Sequence, residues 1–489
     1  MKKSKHIFVL ILASLLLLSG CGGQTAETEA DTTPAVQTET EEETIPEPDL
    51  PYTTFDGRSL RFLYANDPGV PYSVKDIWVE GVTGEVVNDA VYERNAAVEE
   101  KFNIVIEGNP QNVRQAVRDM TRKEITAGLT SFDVMAEESN AAYPLALEGL
   151  FYNWLDLPHV NFDADWWDGN AAEQLSLRGK LYPMAGDITM QTSACSRMLY
   201  INKTMAVNYG MEVPYDDVRA GTWTIDKMLD MVTTVAADLN GDGVMDSYDQ
   251  FGMLTENPEF FITGCGVVFS EKNDADEPVL TFVNENTVTA LEKISLLLTD
   301  KDHTLSFDET AKGMDISGFN HIYDYGRSRF AAGQFLFVQN GTGIAHQFAD
   351  MEDEYGILPN PKLTETQEDY YHLVDAYAPM LFLPSTLEDP EMVGMCMEYI
   401  NWLSSLTVKE AFYEITMKKK RANAPDDAEM LDISRQSCRY EITYIYDTGV
   451  LGVLRDSYKS GNLMSTWASR EKAVNSKVEK LLETMDALS

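Results

Sequence analysis

The sequence predicts an α/β protein built on a parallel or mixed sheet. Three observations carry this. Between residues 60 and 136, short apolar runs alternate with segments of helical periodicity, the pattern of β–α–β units. Further apolar runs of strand length recur at 181–187, 198–203, 251–253, 335–338 and 376–383. The chain has 489 residues, 44% hydrophobic and 24% charged, enough for two or three domains with large cores.

Taken in order, Leu60 to Tyr64 reads as the first strand, ending at Asn66 and Asp67. A helix is expected from Asn88 to Phe102, with Val87, Val91, Val98 and Phe102 on one face. A strand (103–106), a helix (111–127) and a strand (132–136) follow. Ligands of such sheets bind beyond the carboxyl ends of strands. That places Asn66, Asp67 and Glu137 to Asn140 on a candidate cleft rim. An aromatic-rich span includes Trp154, Trp166 and Trp167, whose faces suit either a core or a sugar ring. Leu181 to Asp187 reads as a strand ending in an acid. A helix runs from Trp223 to about Ala236, and further helices are expected near 288–298, 323–333, 390–403, 408–417, 428–435 and at the C-terminus.

Residues 238–249 have the spacing of a twelve-residue calcium loop. Asp238, Asn240, Asp242, Asp246 and Asp249 put side-chain oxygens at positions 1, 3, 5, 9 and 12. Gly243 stands at position 6, where the turn is sharp, and Val244 offers its carbonyl at position 7. Asp249 replaces the usual bidentate Glu, so a weak structural calcium site is expected, with Kd of about 10⁻⁴ to 10⁻³ M. It would pin the end of the 223–236 helix to the strand at Phe251.

The N-terminus reads as an export signal. Lys2, Lys3 and Lys5 precede an apolar run from Ile7 to Leu18, too short to span a bilayer. It ends in Leu18-Ser19-Gly20-Cys21, which resembles a bacterial lipobox with Cys21 as the lipidated residue. Residues 22–54 then form an acidic tether: nine acids and no Lys or Arg fall between 22 and 50, a composition that does not fold. The net charge of −41 excludes a nucleic-acid binder and leaves a lipid anchor as the only expected membrane attachment. The expected location is the outer face of the cell membrane. Besides Cys21, Cys195, Cys265, Cys396 and Cys438 show no zinc-ligand spacing, and the sequence does not choose between disulfides and free thiols.

Catalytic signatures are absent. There is no His-Glu-x-x-His, Gly-x-Ser-x-Gly or Walker A motif. Asn340-Gly341-Thr342-Gly343 follows a strand but lacks the third glycine of a dinucleotide fingerprint, since His346 stands there. No enzyme is expected.

Several stretches in order resemble one family. They are the lipobox, the acidic tether, Val86 to Asn95, Thr222-Trp223-Thr224, the Asp/Asn/Gly loop with Gln250-Phe251-Gly252, Tyr355 to Lys362 with Gln367 and Tyr370-Tyr371, and Glu429 to Ile433. Together they are similar to the carbohydrate-type, family 1 extracellular solute-binding lipoproteins of Gram-positive ABC importers, distant relatives of maltose-binding protein. The resemblance implies a two-lobe, type II periplasmic-binding-protein-like fold with mixed sheets, flanking helices and a hinge. It implies lobe 1 in 55–187 and 378–425, and lobe 2 in 188–377 and 426–489. It also implies a sugar or oligosaccharide held between the lobes and handed to a membrane permease by a monomer. Asp187 and Glu138 are the implied cleft acids, with Asn66, Asp67, Trp167, Phe260, Phe261, Asn340 and Gly341 around them. A receptor for a sensor kinase and a calcium-dependent glycan hydrolase are the alternatives.

Overall fold

Two five-stranded sheets organise the chain, each covered by helices. The computed structural model describes residues 45–67, 73–129, 131–348, 350–412 and 424–488. Cys21 and most of the tether lie outside them. Residues 47–489 form one compact unit.

The first sheet uses β1 (Arg58–Ala65), β2 (Ile104–Gln111), β3 (Val134–Glu138) and β4 (Phe151–Tyr152). The second uses β5 (Arg197–Asn202), β6 (Phe251–Thr255), β9 (Thr304–Ser306), β10 (Phe335–Gly341) and β11 (Tyr355–Leu358). Short ribbons add β7 (Ser270–Lys272) with β8 (Pro278–Leu280), and β12 (His372–Leu373) with β14 (Cys438–Arg439). Strand β13 (Pro379–Pro384) returns to the first sheet, whose order is β2-β1-β3-β13-β4. The second runs β11-β5-β10-β6-β9. In each, four strands run one way and one opposes them, β13 in the first sheet and β5 in the second. Helices on both faces require strands apolar on both faces. Accordingly every residue of β3, β5, β6, β10, β11 and β13 is buried.

Most expected elements are present with boundaries shifted by a few residues. The helices at Val86–Phe102 and Arg114–Thr126 and the strands beside them fall where the periodicity places them. The expected strand over 181–187 is corrected. That stretch makes only isolated bridges, Met184 to Leu381 and Gly186 to Trp167, because it leaves the first sheet and runs to β5 in the second. The 408–417 helix lies partly outside the described residues.

The motifs that carried the resemblance are packing devices. Arg94 is buried, and burial lowers its pKa to about 10. Its guanidinium donates to the carbonyls of Ile77 at 2.8 Å and Ile188 at 3.0 Å. It thereby ties the first helix to the crossing segment. Trp223 donates from Nε1 to Pro359 O at 3.0 Å, and Lys362 N donates to Trp223 O at 3.1 Å. Gly252 is fixed by contact: a Cβ there would stand 2.2 Å from Val232 O in the neighbouring helix.

Candidate functional site

Two hollows matter, and they share no lining residue. One, of about 510 Å³, lies at the carboxyl edges of both sheets. From the first sheet it takes Glu138, which ends β3, and Arg114, which opens the helix after β2. From the second it takes Glu256, directly after β6, and Arg197, paired with Gly341 at the end of β10. Asp375 and Tyr377 enter from the strand-poor segment that connects the sheets. In open α/β sheets this is where ligands sit.

The cleft is lined by paired charge. Arg114 pairs with Glu138. Arg197 donates to Asp375 at 2.7 Å and stands 3.4 Å from Glu256. Arg327 pairs with Asp324 at 2.6 Å, and Arg455 Nε donates to Glu259 at 3.0 Å. Burial raises the Glu259 carboxyl, and Arg455 opposes that shift. Burial also raises the Tyr323 hydroxyl, which hydrogen-bonds Glu256. Tyr323 stacks on the His321 ring at a centroid distance of 4.7 Å. Tyr377 lines the cleft and stays 55% exposed.

The second hollow, about 410 Å³, holds Asp187 and Trp167. Asp187 accepts from Lys409 Nζ at 3.0 Å and from Arg435 at 3.3 Å. Burial raises its carboxyl, and the two cations oppose that shift. Trp167 is 4% exposed, meets Trp154 and Phe162 edge-on, and donates to Glu398 at 2.7 Å.

The nominated residues therefore divide. Glu138 lines the cleft; Asp187 and Trp167 line the other hollow. Asn66 is exposed at the end of β1, and Asp67 lies close enough to Arg114 to act on its charge. Asn340 and Phe260 are buried one layer behind: Asn340 Oδ1 accepts from Arg197 at 3.0 Å, and the Arg197 guanidinium lies 5.2 Å over the Phe260 ring. Gly341 O accepts from Tyr200, and Phe261 is in the core of the second sheet. The sequence reading missed Arg114, Arg197, Arg327, Asp375 and Tyr377. The arginines were the available signal: an acidic chain sets four of them around one cleft.

In the 238–249 loop, Gly243 takes φ +81, as position 6 requires. Asp238 accepts from the N–H groups of Gly241 and Gly243 at 2.6 and 2.8 Å. Asp249 is fully buried and accepts from Leu239 N and Asp246 N, both at 2.9 Å. Among the described residues no three or more His, Cys, Asp or Glu side chains stand in a metal-holding group. The Asp238 and Asp249 carboxylates accept from N–H groups of the loop itself. Cys195, Cys265, Cys396 and Cys438 are free and buried. Among the described residues no helix is long and apolar enough to cross a membrane.

No family model matches the sequence, and no curated protein does. Solved structures match in shape. An ABC substrate-binding protein from Listeria monocytogenes, in complex with cycloalternan, aligns with TM-score 0.52 and 15% identity over 88% of this chain and 100% of that one. The maltose/maltodextrin-binding domain MalE from Bdellovibrio bacteriovorus, bound to maltotriose, gives 0.51 and 15% over 87% and 100%. A family 1 extracellular solute-binding protein from Bifidobacterium longum subsp. infantis gives 0.53 and 13% over 87% and 100%. The chain has the two-lobe α/β fold of these solute-binding proteins.

Proposed function

We propose that this protein captures a sugar or oligosaccharide between its lobes and delivers it, unchanged, to the permease of an ABC importer. One observation carries the reading. The carboxyl edges of both sheets supply polar side chains to a single hollow, with Arg114 and Glu138 on one side and Arg197 and Glu256 on the other. A solute there would bridge the lobes and favour the closed form by its extra contacts in that form. The proteins of similar shape are binding proteins crystallised with cycloalternan and maltotriose, which supports capture over turnover.

Further parts of the proposal rest on the sequence. Lobe 1 comprises 55–187 and 378–425, and lobe 2 comprises 188–377 and 426–489. The return of β13 to the first sheet and the packing of the Ala424–Gln436 helix near β11 support that division. Cys21 carries the lipid that holds the monomer at the outer face of the membrane. The 238–249 loop takes calcium weakly, supported by its register and the Gly243 turn.

The test is titration calorimetry of the mature chain against a library of neutral mono- and oligosaccharides. Saturable heat at one site, with Kd near the micromolar range that about −8 kcal/mol provides, is expected. Release of reducing sugar from a glycan panel would instead indicate a hydrolase.

A further inference from the structure

The charge pattern of the cleft narrows the solute. Five carboxylates and four guanidiniums line it: Glu138 with Arg114, Asp375 and Glu256 sharing Arg197, Asp324 with Arg327, and Glu259 with Arg455. No guanidinium is left over for an anion. An anion would have to displace a carboxylate from its guanidinium and leave that acid unpaired in a partly buried site, which is costly. A hydroxyl faces no such barrier. It can donate to one oxygen of a paired carboxylate and accept from an N–H of its partner at once. Vicinal hydroxyls on a ring match the spacing of such pairs.

One further feature points the same way. Tyr377 lines the hollow and is 55% exposed, and its N–H donates to Asp375 Oδ1 at 3.1 Å. Ring C–H faces of a sugar cover an exposed aromatic of this kind.

We infer that the solute is a sugar without negative charge, stacked on Tyr377, and that acidic sugars are excluded. This rests on the sugar-capture reading above. The test is calorimetry with matched pairs: each neutral sugar beside its uronate, glucose with glucuronate being one pair. Neutral members are expected to bind at least about tenfold more tightly than the uronate. A uronate binding as tightly as its neutral parent overturns this inference and leaves solute capture standing. Absence of heat with every member overturns both.

Variants test the parts separately. Tyr377→Ala should weaken the neutral sugar about tenfold, whereas Tyr377→Phe stays within about threefold. Glu259→Gln frees the Arg455 charge and should narrow the gap between neutral sugar and uronate. Asp324→Asn serves the same purpose at Arg327 if the first variant does not fold. A gap unchanged in a folded variant contradicts the charge argument.

Discussion

Arg197 donates to Asp375 at 2.7 Å, and through that carboxylate a residue of the second sheet positions the segment that joins the two sheets. The other Asp375 oxygen accepts from the Tyr377 N–H at 3.1 Å and from the Tyr444 hydroxyl at 3.4 Å. Both partners are buried, Arg197 at 7% and Asp375 at 5% exposure. Removing Arg197 leaves the buried Asp375 carboxylate without its cation, at a cost of about 3–5 kcal/mol. Arg197→Met should therefore lower the unfolding free energy by about that much in a urea titration. Asp375→Asn keeps the shape and the Tyr377 contact, so a smaller loss, about 1–3 kcal/mol, is expected.

Glu137 gives a pH signature. Burial raises its carboxyl from 4.5 to about 7, against the pull of Arg118 and Arg114. A carboxyl raised in the folded state binds more protons folded than unfolded. Its contribution is present below pH 4.5 and is lost as pH rises to 7. Glu137→Gln should flatten the stability profile across that window by about 3 kcal/mol. A profile with the same slope in the variant would contradict the assignment.

His372 predicts the opposite slope. It is fully buried and held neutral, its pKa lowered by burial to about 3. Asn360 N donates to its Nε2 at 2.9 Å, so the other ring nitrogen carries the proton and faces Ser437 Oγ at 2.8 Å. The unfolded ring takes up a proton near pH 6.5, so this contribution is lost as pH falls from 6.5 toward 3. His372→Gln retains a donor and an acceptor and should lose less stability in acid than the parent. Denaturant titrations at pH 4 and pH 7 make the comparison.

The calcium proposal is tested by removal. Chelator should lower the thermal midpoint and leave the sugar Kd unchanged, because the loop lies outside the cleft lining. An unchanged midpoint, with no calcium by elemental analysis, removes the metal.

How far the residues announced this arrangement differs between fold and site. Strand and helix positions were legible because burial imposes a period, as in Val91, Val98 and Phe102 on one helix face. The 181–187 stretch misled because Leu181, Tyr182, Met184 and Ala185 are buried without pairing in a ladder. At the site, Glu138 was legible from its place after a strand. Asp187 looked equivalent, but Lys409 and Arg435 enclose it, and both lie more than two hundred residues away. Trp167 suits a sugar platform by residue type, but it is buried, its N–H donates to Glu398 and its ring meets Trp154 and Phe162. Tyr377 carries no local signal; only the folded chain shows that it lines the cleft and stays exposed.

Small-angle scattering of the mature chain, with and without a sugar that gives calorimetric heat, tests solute capture between the lobes most directly. The account predicts a smaller radius of gyration in the presence of the sugar, and no such contraction with its uronate. Superimposable curves with and without a sugar that gives heat would contradict it.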